Sequence, residues 1–200
     1  MQVPFKDIQN TNLPDQQRIQ EDYRRMLEDA LAIKRKAIAE RLYTPQALEG
    51  LPASAVVAAL GVGNPVAFTD IHPGDRILDI GCGGGIDSLL AAQRVGSGGE
   101  VIGVDMTPEM LRLARKNAEA AGLSNLEFVE GMAEDMSFIP DESLDEVISN
   151  GVINLTSDKK RVFAEIQRVL RAGGCTVLSD IVVNGEIPPE VLTNPAAWSG

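Results

Sequence analysis

The stretch Ile77 to Ser88, ILDIGCGGGIDS, decides the fold class of this chain. An apolar run leads to an acid and then to a turn that has glycine in four of its five positions. Glycine permits positive φ and removes the Cβ atom from the path of a ligand, so the backbone can approach that ligand closely. Such a turn after a strand is the usual ligand contact of a doubly wound sheet. The ligand is then a dinucleotide, a phosphate or a nucleoside that carries no phosphate.

Short apolar runs alternate with helical patterns after the turn signal at 72–75. The predicted strands are Arg76–Ile80, Glu100–Asp105, Leu126–Glu130, Glu146–Ser149 and Cys175–Val183. The predicted helices are Asp87–Val95, Pro108–Ala121 and Asp158–Arg171, with N-caps at Thr107 and Ser157 and C-terminal glycines at Gly122 and Gly173. This alternation predicts an α/β fold, a Rossmann-like doubly wound and mostly parallel sheet.

Composition narrows the class of partner and the compartment. The 200 residues carry a net charge of −11 and no clustered basic patch, so nucleic acid is not an expected partner. Two cysteines do not indicate a disulfide framework, and the N-terminus lacks the features of a signal peptide. The uncharged run Leu51 to Thr69 is interrupted by prolines and glycines, so it does not predict a membrane span. We expect a cytoplasmic protein.

The N-terminal part differs in pattern from the rest. Apolar residues recur at helical spacing between Asp15 and Arg41, which predicts a long amphipathic helix, unbroken or in two parts. We predict an N-terminal helical segment at 1–69 and a ligand-binding domain at 70–200. The segment either forms a lid over the ligand site or packs simply against the core.

The residues around the glycine turn discriminate among the three ligands. A P-loop would end in Gly-Lys-Ser/Thr, and a dinucleotide motif G-x-G-x-x-G would need glycine where this chain has Ile86. Asp79 lies two residues before Gly81 at the tip of the first strand. A carboxylate there would repel a pyrophosphate, whereas it suits a ligand with an ammonium or sulfonium charge.

Two further strand tips complete the predicted site. Asp105 closes the second strand, where a carboxylate can accept hydrogen bonds from both ribose hydroxyls. After the third strand, the Ala133 amide and the Glu134 carboxylate are placed to recognise an adenine edge. Ribose, adenine and a cationic amino-acid group together describe S-adenosylmethionine. The predicted cofactor-binding residues are Asp79, Gly81, Cys82, Gly83, Asp105, Met106, Ala133, Glu134 and Asn150.

The motifs ILDIGCGGG, VIGVDMTPEML and VEGMAEDM resemble, in order and spacing, those of class I S-adenosylmethionine-dependent methyltransferases. More narrowly, LGVGNP, SNGVINLTSDKKRVFAEIQRVLRAGG and SDIVVNGEIPPEV resemble the arsenite methyltransferase branch. The resemblance implies methyl transfer to a small molecule and a seven-stranded sheet that ends in an antiparallel hairpin. Only five strands are predicted here. Either the chain is a fragment truncated at its C-terminus, or the fifth strand is an edge covered by the terminal loop or a partner chain.

The chain departs from that branch at the residues expected to bind arsenic. Family members bind the trivalent ion through cysteine thiolates, but this chain has Val62 and Gly151 at two of those positions and ends at Gly200, before a third. We expect Cys82, in the glycine turn, and Cys175, at the start of an interior strand, to be packing residues. No metal ligands are predicted.

Methyl transfer from a sulfonium is an in-line displacement, so the protein mainly aligns the donor with the acceptor and excludes water. The tip of the fourth strand, 149–151, should face the transferable methyl group, and Asn150 is the predicted catalytic residue in contact with cofactor or acceptor. His72 is interpreted as structural. Three hypotheses stay open: an arsenite-type enzyme with a changed small-molecule acceptor, a methyltransferase for a quinone-like carbon or oxygen acceptor, and a non-catalytic S-adenosylmethionine-binding fragment. A nicotinamide oxidoreductase is the weakest reading.

Overall fold

The computed structural model describes residues 20–21, 32–182 and 184–185. Five strands form one parallel sheet in the order β3-β2-β1-β4-β5. The strands are β1 (Arg76–Ile80), β2 (Glu100–Asp105), β3 (Leu126–Glu130), β4 (Leu144–Asn150) and β5 (Leu170–Ser179). The helices are α1 (Ala32–Leu42), α2 (Pro45–Leu48), α3 (Ala53–Val57), α4 (Ile86–Val95), α5 (Pro108–Ala120) and α6 (Lys159–Val169). The predicted doubly wound α/β fold is confirmed.

The strand order places a crevice beside β1. The chain runs outward from β1 through β2 to β3 and then returns to the other side of β1 with β4 and β5. Neighbouring connections therefore diverge at the carboxyl ends of β1 and β4, which is where open α/β sheets bind their ligands. The tips of these strands carry the motifs that the sequence singled out.

Apolar side chains cover both faces of the central strands, as expected for a parallel sheet between helices. On one face, Ile77 and Ile148 belong to a buried cluster with residues of α4. On the other face, Leu78 and Val147 pack in a cluster with residues of α6. The sheet is thereby held rigidly beneath its loops.

The described part of the N-terminal segment joins this core. Ala39 of α1, Tyr43 and Val56 of α3 are buried in the same cluster as Ile77. Gln20 donates a hydrogen bond of 2.6 Å to the carbonyl oxygen of Met106. Most of the helix predicted between Asp15 and Arg41 lies outside the described residues, so the lid and the domain boundary at 69/70 stay predictions.

The largest difference from the sequence prediction concerns β5. This strand begins at Leu170, directly after α6, and ends at Ser179, because its pairing with β4 shifts register between Leu144 and Glu146. Gly173, with φ +84°, lies within this irregular stretch and does not end a helix. Cys175 is exposed, so its predicted interior position was wrong. An edge strand leaves one side of its residues without a covering neighbour.

The start of α6 also differs. Asp158 is the N-cap, and its carboxylate accepts a hydrogen bond of 3.1 Å from the Arg161 amide. The predicted cap, Ser157, instead donates its hydroxyl proton to Glu134 Oε1 at 2.9 Å. Thr107 does occupy the N-cap position of α5, although its side chain makes no capping hydrogen bond.

Candidate functional site

A pocket opens at the carboxyl ends of β1, β2 and β4. Every residue predicted to contact the cofactor lines it, which places four separate strand tips around one cavity. These residues are Asp79, Gly81, Cys82, Gly83, Asp105, Met106, Ala133, Glu134 and Asn150. We call the lining residues 79–84, 105–107 and 131–134 the turn side of the pocket, and the lining residues 60–61, 150–152 and 155, with the adjoining loop 62–63, its loop side.

The glycine turn is fastened to β2. The amides of Gly81 and Cys82 donate to the Val104 carbonyl oxygen at 2.7 and 3.0 Å, and the Gly83 amide donates to Asp105 Oδ2 at 2.9 Å. Gly83 has φ +52°, and a Cβ atom there would meet no heavy atom within 4 Å. The turn therefore leaves open space in the pocket that only glycine preserves without backbone strain.

Asp105 has bonding capacity left for a ligand. Its Oδ1 accepts a hydrogen bond of 2.8 Å from the Thr107 amide, and its Oδ2 accepts that from Gly83. Each carboxylate oxygen has two lone pairs, so a second donor can approach each one. Burial raises the pKa of Asp105, and the two amides oppose that rise.

Two buried carboxylates lie deeper in the pocket. Asp79 accepts a hydrogen bond of 2.6 Å from the Ser88 hydroxyl, and Asp87 accepts one of 2.9 Å from the Tyr43 hydroxyl. Burial, followed by the charge of Asp87, raises the pKa of Asp79. Burial likewise raises the pKa of Asp87, while bonds from Asn150 and Tyr43 lower it.

Asn150 makes its contacts within the protein. Its Oδ1 accepts hydrogen bonds from the Val62 and Gly63 amides at 2.8 and 3.0 Å. Its Nδ2 lies 2.8 Å from the Gly63 carbonyl oxygen, 3.0 Å from Asp87 Oδ2 and 3.2 Å from the Tyr43 hydroxyl. The amide thus fixes the loop side of the pocket, and its predicted contact with cofactor or acceptor stays a prediction.

Asp87 and Tyr43 are not among the site residues predicted from the sequence. Asp87 was predicted only as the start of a helix, although an acid two residues after a glycine turn, in ILDIGCGGGIDS, is a usable signal. The Tyr43 hydroxyl donates to Asp87, which is 44 positions away in the sequence. No local pattern indicates that contact, because it depends on how the N-terminal helices pack.

The segment after β3 supplies two predicted contacts of different kinds. The Ala133 amide has no hydrogen-bond acceptor among the described residues, and the residue is 9% exposed within the pocket. Glu134 Oε1 instead accepts hydrogen bonds of 2.9 Å from both the amide and the hydroxyl of Ser157. The Ala133 amide is therefore available to a ligand, whereas one oxygen of Glu134 is committed to the start of α6.

Val62 and Gly151, the two positions at which the resemblance to arsenite methyltransferases implies cysteine, are neighbours here. A Cβ atom at Gly151 would lie 3.5 Å from Val62 Cγ1. The two sulfur atoms of this chain lie elsewhere: Cys82 is buried in the turn, and Cys175 Sγ donates to Glu146 Oε1 at 3.0 Å. Within the described residues, no group of three or more His, Cys, Asp or Glu side chains is arranged to hold a metal ion.

Comparison with known proteins identifies the family. A model of the methyltransferase domain matches residues 71–199. The chain belongs to this methyltransferase family. An arsenite methyltransferase of Halobacterium salinarum is 47% identical over 141 residues, which are 70% of this chain and 36% of that protein. A demethylmenaquinone methyltransferase of Symbiobacterium thermophilum is 39% identical over 110 residues, 54% of this chain and 43% of that protein.

A solved structure supports the same assignment. The crystal structure of an arsenic(III) S-adenosylmethionine methyltransferase from Chlamydomonas reinhardtii is 40% identical, with a TM-score of 0.69 over 79% of this chain and 54% of that one. The predicted methyltransferase family, its likeness to arsenite methyltransferases and its cofactor, S-adenosylmethionine, are confirmed. The present chain covers only 36% to 54% of the length of these three relatives. None of its described helices is long and apolar enough to cross a bilayer.

Proposed function

We propose that this methyltransferase transfers a methyl group from S-adenosylmethionine to a small molecule other than thiolate-bound arsenite. The charge of the pocket is the observation that supports S-adenosylmethionine as the methyl donor. Its described lining contains four carboxylates, those of Asp79, Asp87, Asp105 and Glu134, and no Lys, Arg or His. Such a lining favours a ligand with sulfonium and ammonium charges and opposes the pyrophosphate of a dinucleotide.

The residues present fit S-adenosylmethionine in three further respects. The space above Gly83 admits a ligand, because a Cβ atom there would meet nothing within 4 Å. The Ala133 amide offers a free donor to an adenine edge. Asp105 keeps acceptor capacity for ribose hydroxyls. We assign Gly81, Cys82, Gly83 and Met106 to the surface on which the nucleoside rests.

S-adenosylmethionine supplies an electrophilic methyl group on a positively charged sulfur. The protein's task is then to orient donor and acceptor and to keep water out. The turn side holds the donor through Asp79, Asp105 and Ala133. The loop side, fixed by the bonds of Asn150, orients the acceptor, and it requires no general base when the acceptor is a soft or anionic nucleophile.

The acceptor is inferred from the lining of the loop side. Leu60, Gly61, Gly151, Val152 and Leu155 present an apolar surface without a thiol. Soft trivalent ions bind through thiolates, so this surface suits an organic molecule better than arsenite. A quinone-like acceptor is the second candidate function, and the similarity to a demethylmenaquinone methyltransferase favours it. The cytoplasmic location stays a prediction.

The test is transfer of radiolabelled methyl from S-adenosylmethionine to arsenite and to a panel of phenols and reduced quinones. We expect the native chain to label an organic acceptor and not arsenite. The double variant Val62→Cys/Gly151→Cys should gain arsenite binding, and Val62→Ser/Gly151→Ser is the matched control. Labelling of arsenite by the native chain would overturn the changed acceptor. Cofactor binding without labelling of any acceptor would favour the non-catalytic alternative.

A further inference from the structure

Asp79 and Asp87 are buried carboxyl groups that lack a cation. They are only 2% and 5% exposed, and neither takes part in an ion pair among the described residues. Isolated buried charges are strongly unfavourable and are normally paired. The ordinary solution, a Lys or Arg beside them, is absent from the described lining of the pocket.

The donors around this pair are all neutral. The Ser88 hydroxyl donates a hydrogen bond to Asp79. The Tyr43 hydroxyl and the Asn150 amide each donate a hydrogen bond to one oxygen of Asp87. Asp87 also lies in the first turn of α4, where the helix dipole compensates part of its charge. These groups satisfy hydrogen bonds, but they do not neutralise two carboxylates in one cavity.

We propose that Asp87 is a second cation-recognising carboxylate of the cofactor site and that, with Asp79, it makes the pocket sensitive to the charge on the ligand sulfur. This inference depends on the proposed cofactor site. S-adenosylmethionine carries a sulfonium and an ammonium group, whereas the product S-adenosylhomocysteine keeps only the ammonium. Loss of the methyl group therefore removes one cation from a cavity whose two buried acids are Asp79 and Asp87.

The consequence for turnover is that Asp87 favours binding of S-adenosylmethionine over binding of the product S-adenosylhomocysteine. The attraction between a carboxylate and a cation is large in a partly desolvated cavity and disappears when the sulfur becomes a neutral thioether. Asp79 alone would interact mainly with the ammonium group, which both ligands share. Asp87 supplies the additional charge by which the pocket distinguishes donor from product.

The experiment is calorimetric titration of the native chain and of Asp87→Asn with three ligands. These are S-adenosylmethionine, S-adenosylhomocysteine and sinefungin, an analogue with an amine-bearing carbon in place of the methylated sulfur. We expect Asp87→Asn to weaken S-adenosylmethionine and sinefungin, which carry a cation at the sulfur position, about tenfold more than S-adenosylhomocysteine. Sinefungin separates the effect of charge from that of the methyl group itself.

Tyr43→Phe is the matched control, because it removes a hydrogen bond to Asp87 and leaves the carboxylate in place. It should weaken the three ligands by similar factors. If Asp87→Asn fails to fold, Asp87→Ser is the second neutral variant. An unchanged ratio of affinities in a folded neutral variant would overturn the role of Asp87. Failure of the native chain to bind S-adenosylmethionine would instead overturn the proposed cofactor site.

Discussion

The turn side and the loop side of the pocket are built by contacts of different range. On the turn side, Asp79 bonds to a residue 9 positions away, and Asp105 bonds to Gly83 over 22 positions. On the loop side, Asn150 bonds to Val62 over 88 positions and to Tyr43 over 107. A short βαβ unit can thus specify the contacts of Asp79 and Asp105 by itself, whereas the acceptor site depends on how the N-terminal helices pack on the sheet. The predictions below test that division.

The largest effect is expected from Gly83→Val on the turn side. Positive φ disfavours valine, and its side chain would occupy the open space of the pocket. We expect binding of S-adenosylmethionine to weaken by at least about 100-fold. Gly122→Val is the control, because Gly122 also has positive φ and an unobstructed Cβ position but lies outside the pocket lining. Equal losses of affinity in both variants would mean that strain, and not occlusion, is responsible.

Asp105→Ala should have the next largest effect. It removes the predicted ribose contacts and also the partner of the Gly83 and Thr107 amides. We expect cofactor binding to weaken by roughly 1–3 kcal/mol, measured by calorimetry. Asp105→Asn keeps one acceptor oxygen, so its cofactor affinity should lie between those of the native chain and Asp105→Ala. Unchanged affinity in Asp105→Ala would remove this residue from the site.

Gly61→Ala should separate the two sides. A Cβ atom at Gly61 would overlap the side-chain amide of Asn150, so the loop must move. We expect kcat/KM for the acceptor identified by methyl labelling to fall about tenfold, because misalignment of the acceptor costs rate. Cofactor affinity should fall by a smaller factor, because among the described residues only the hydrogen bond from Asn150 to Asp87 directly links this loop to the proposed cofactor site. Gly98→Ala, with no close contact, is the control. A matching loss of cofactor affinity would contradict the independence of the sides.

The smallest effect concerns the pH dependence of stability. Burial raises the pKa of Asp79 in the folded state, so the folded chain binds more protons than the unfolded chain above the ordinary Asp pKa of about 4. The free energy of unfolding contributed by this group therefore falls as pH rises. Between pH 5 and pH 7 we expect Asp79→Asn to reduce that fall by about 1 kcal/mol in urea titrations of the ligand-free chain. If the free energy of unfolding fell equally in Asp79→Asn and in the native chain, the pKa of Asp79 would not be raised by folding.

The same division explains what could be predicted from sequence. The three strands that carry the turn side, Arg76–Ile80, Glu100–Asp105 and Leu126–Glu130, have the predicted bounds, because periodicity and turn residues are local signals. The bounds of β5 were wrong, because a shift in pairing with β4 is a tertiary feature. The bonds of Asn150 to the loop at 62–63 were equally invisible, since they join segments far apart in sequence.

The role of Asp87 occupies an intermediate position. The residue belongs to the local glycine motif, but its environment is set by hydrogen bonds from Tyr43 and Asn150, which no motif connects to it. Cys175 is a second example, because its strand has an apolar pattern but the residue itself is exposed. A strand with an interior pattern becomes an edge when no described neighbour covers it. Sequence therefore identifies the groups at strand tips more reliably than it identifies their environment.

The most direct test of this account is calorimetric titration of the 200-residue chain with S-adenosylmethionine, with NAD as the comparison ligand. An acidic pocket without basic residues in its described lining should bind the sulfonium ligand in the micromolar range and show no heat of binding with NAD. Binding of NAD, or absence of binding by S-adenosylmethionine to the folded chain, would contradict the claim that these strand tips form a methyl-donor site.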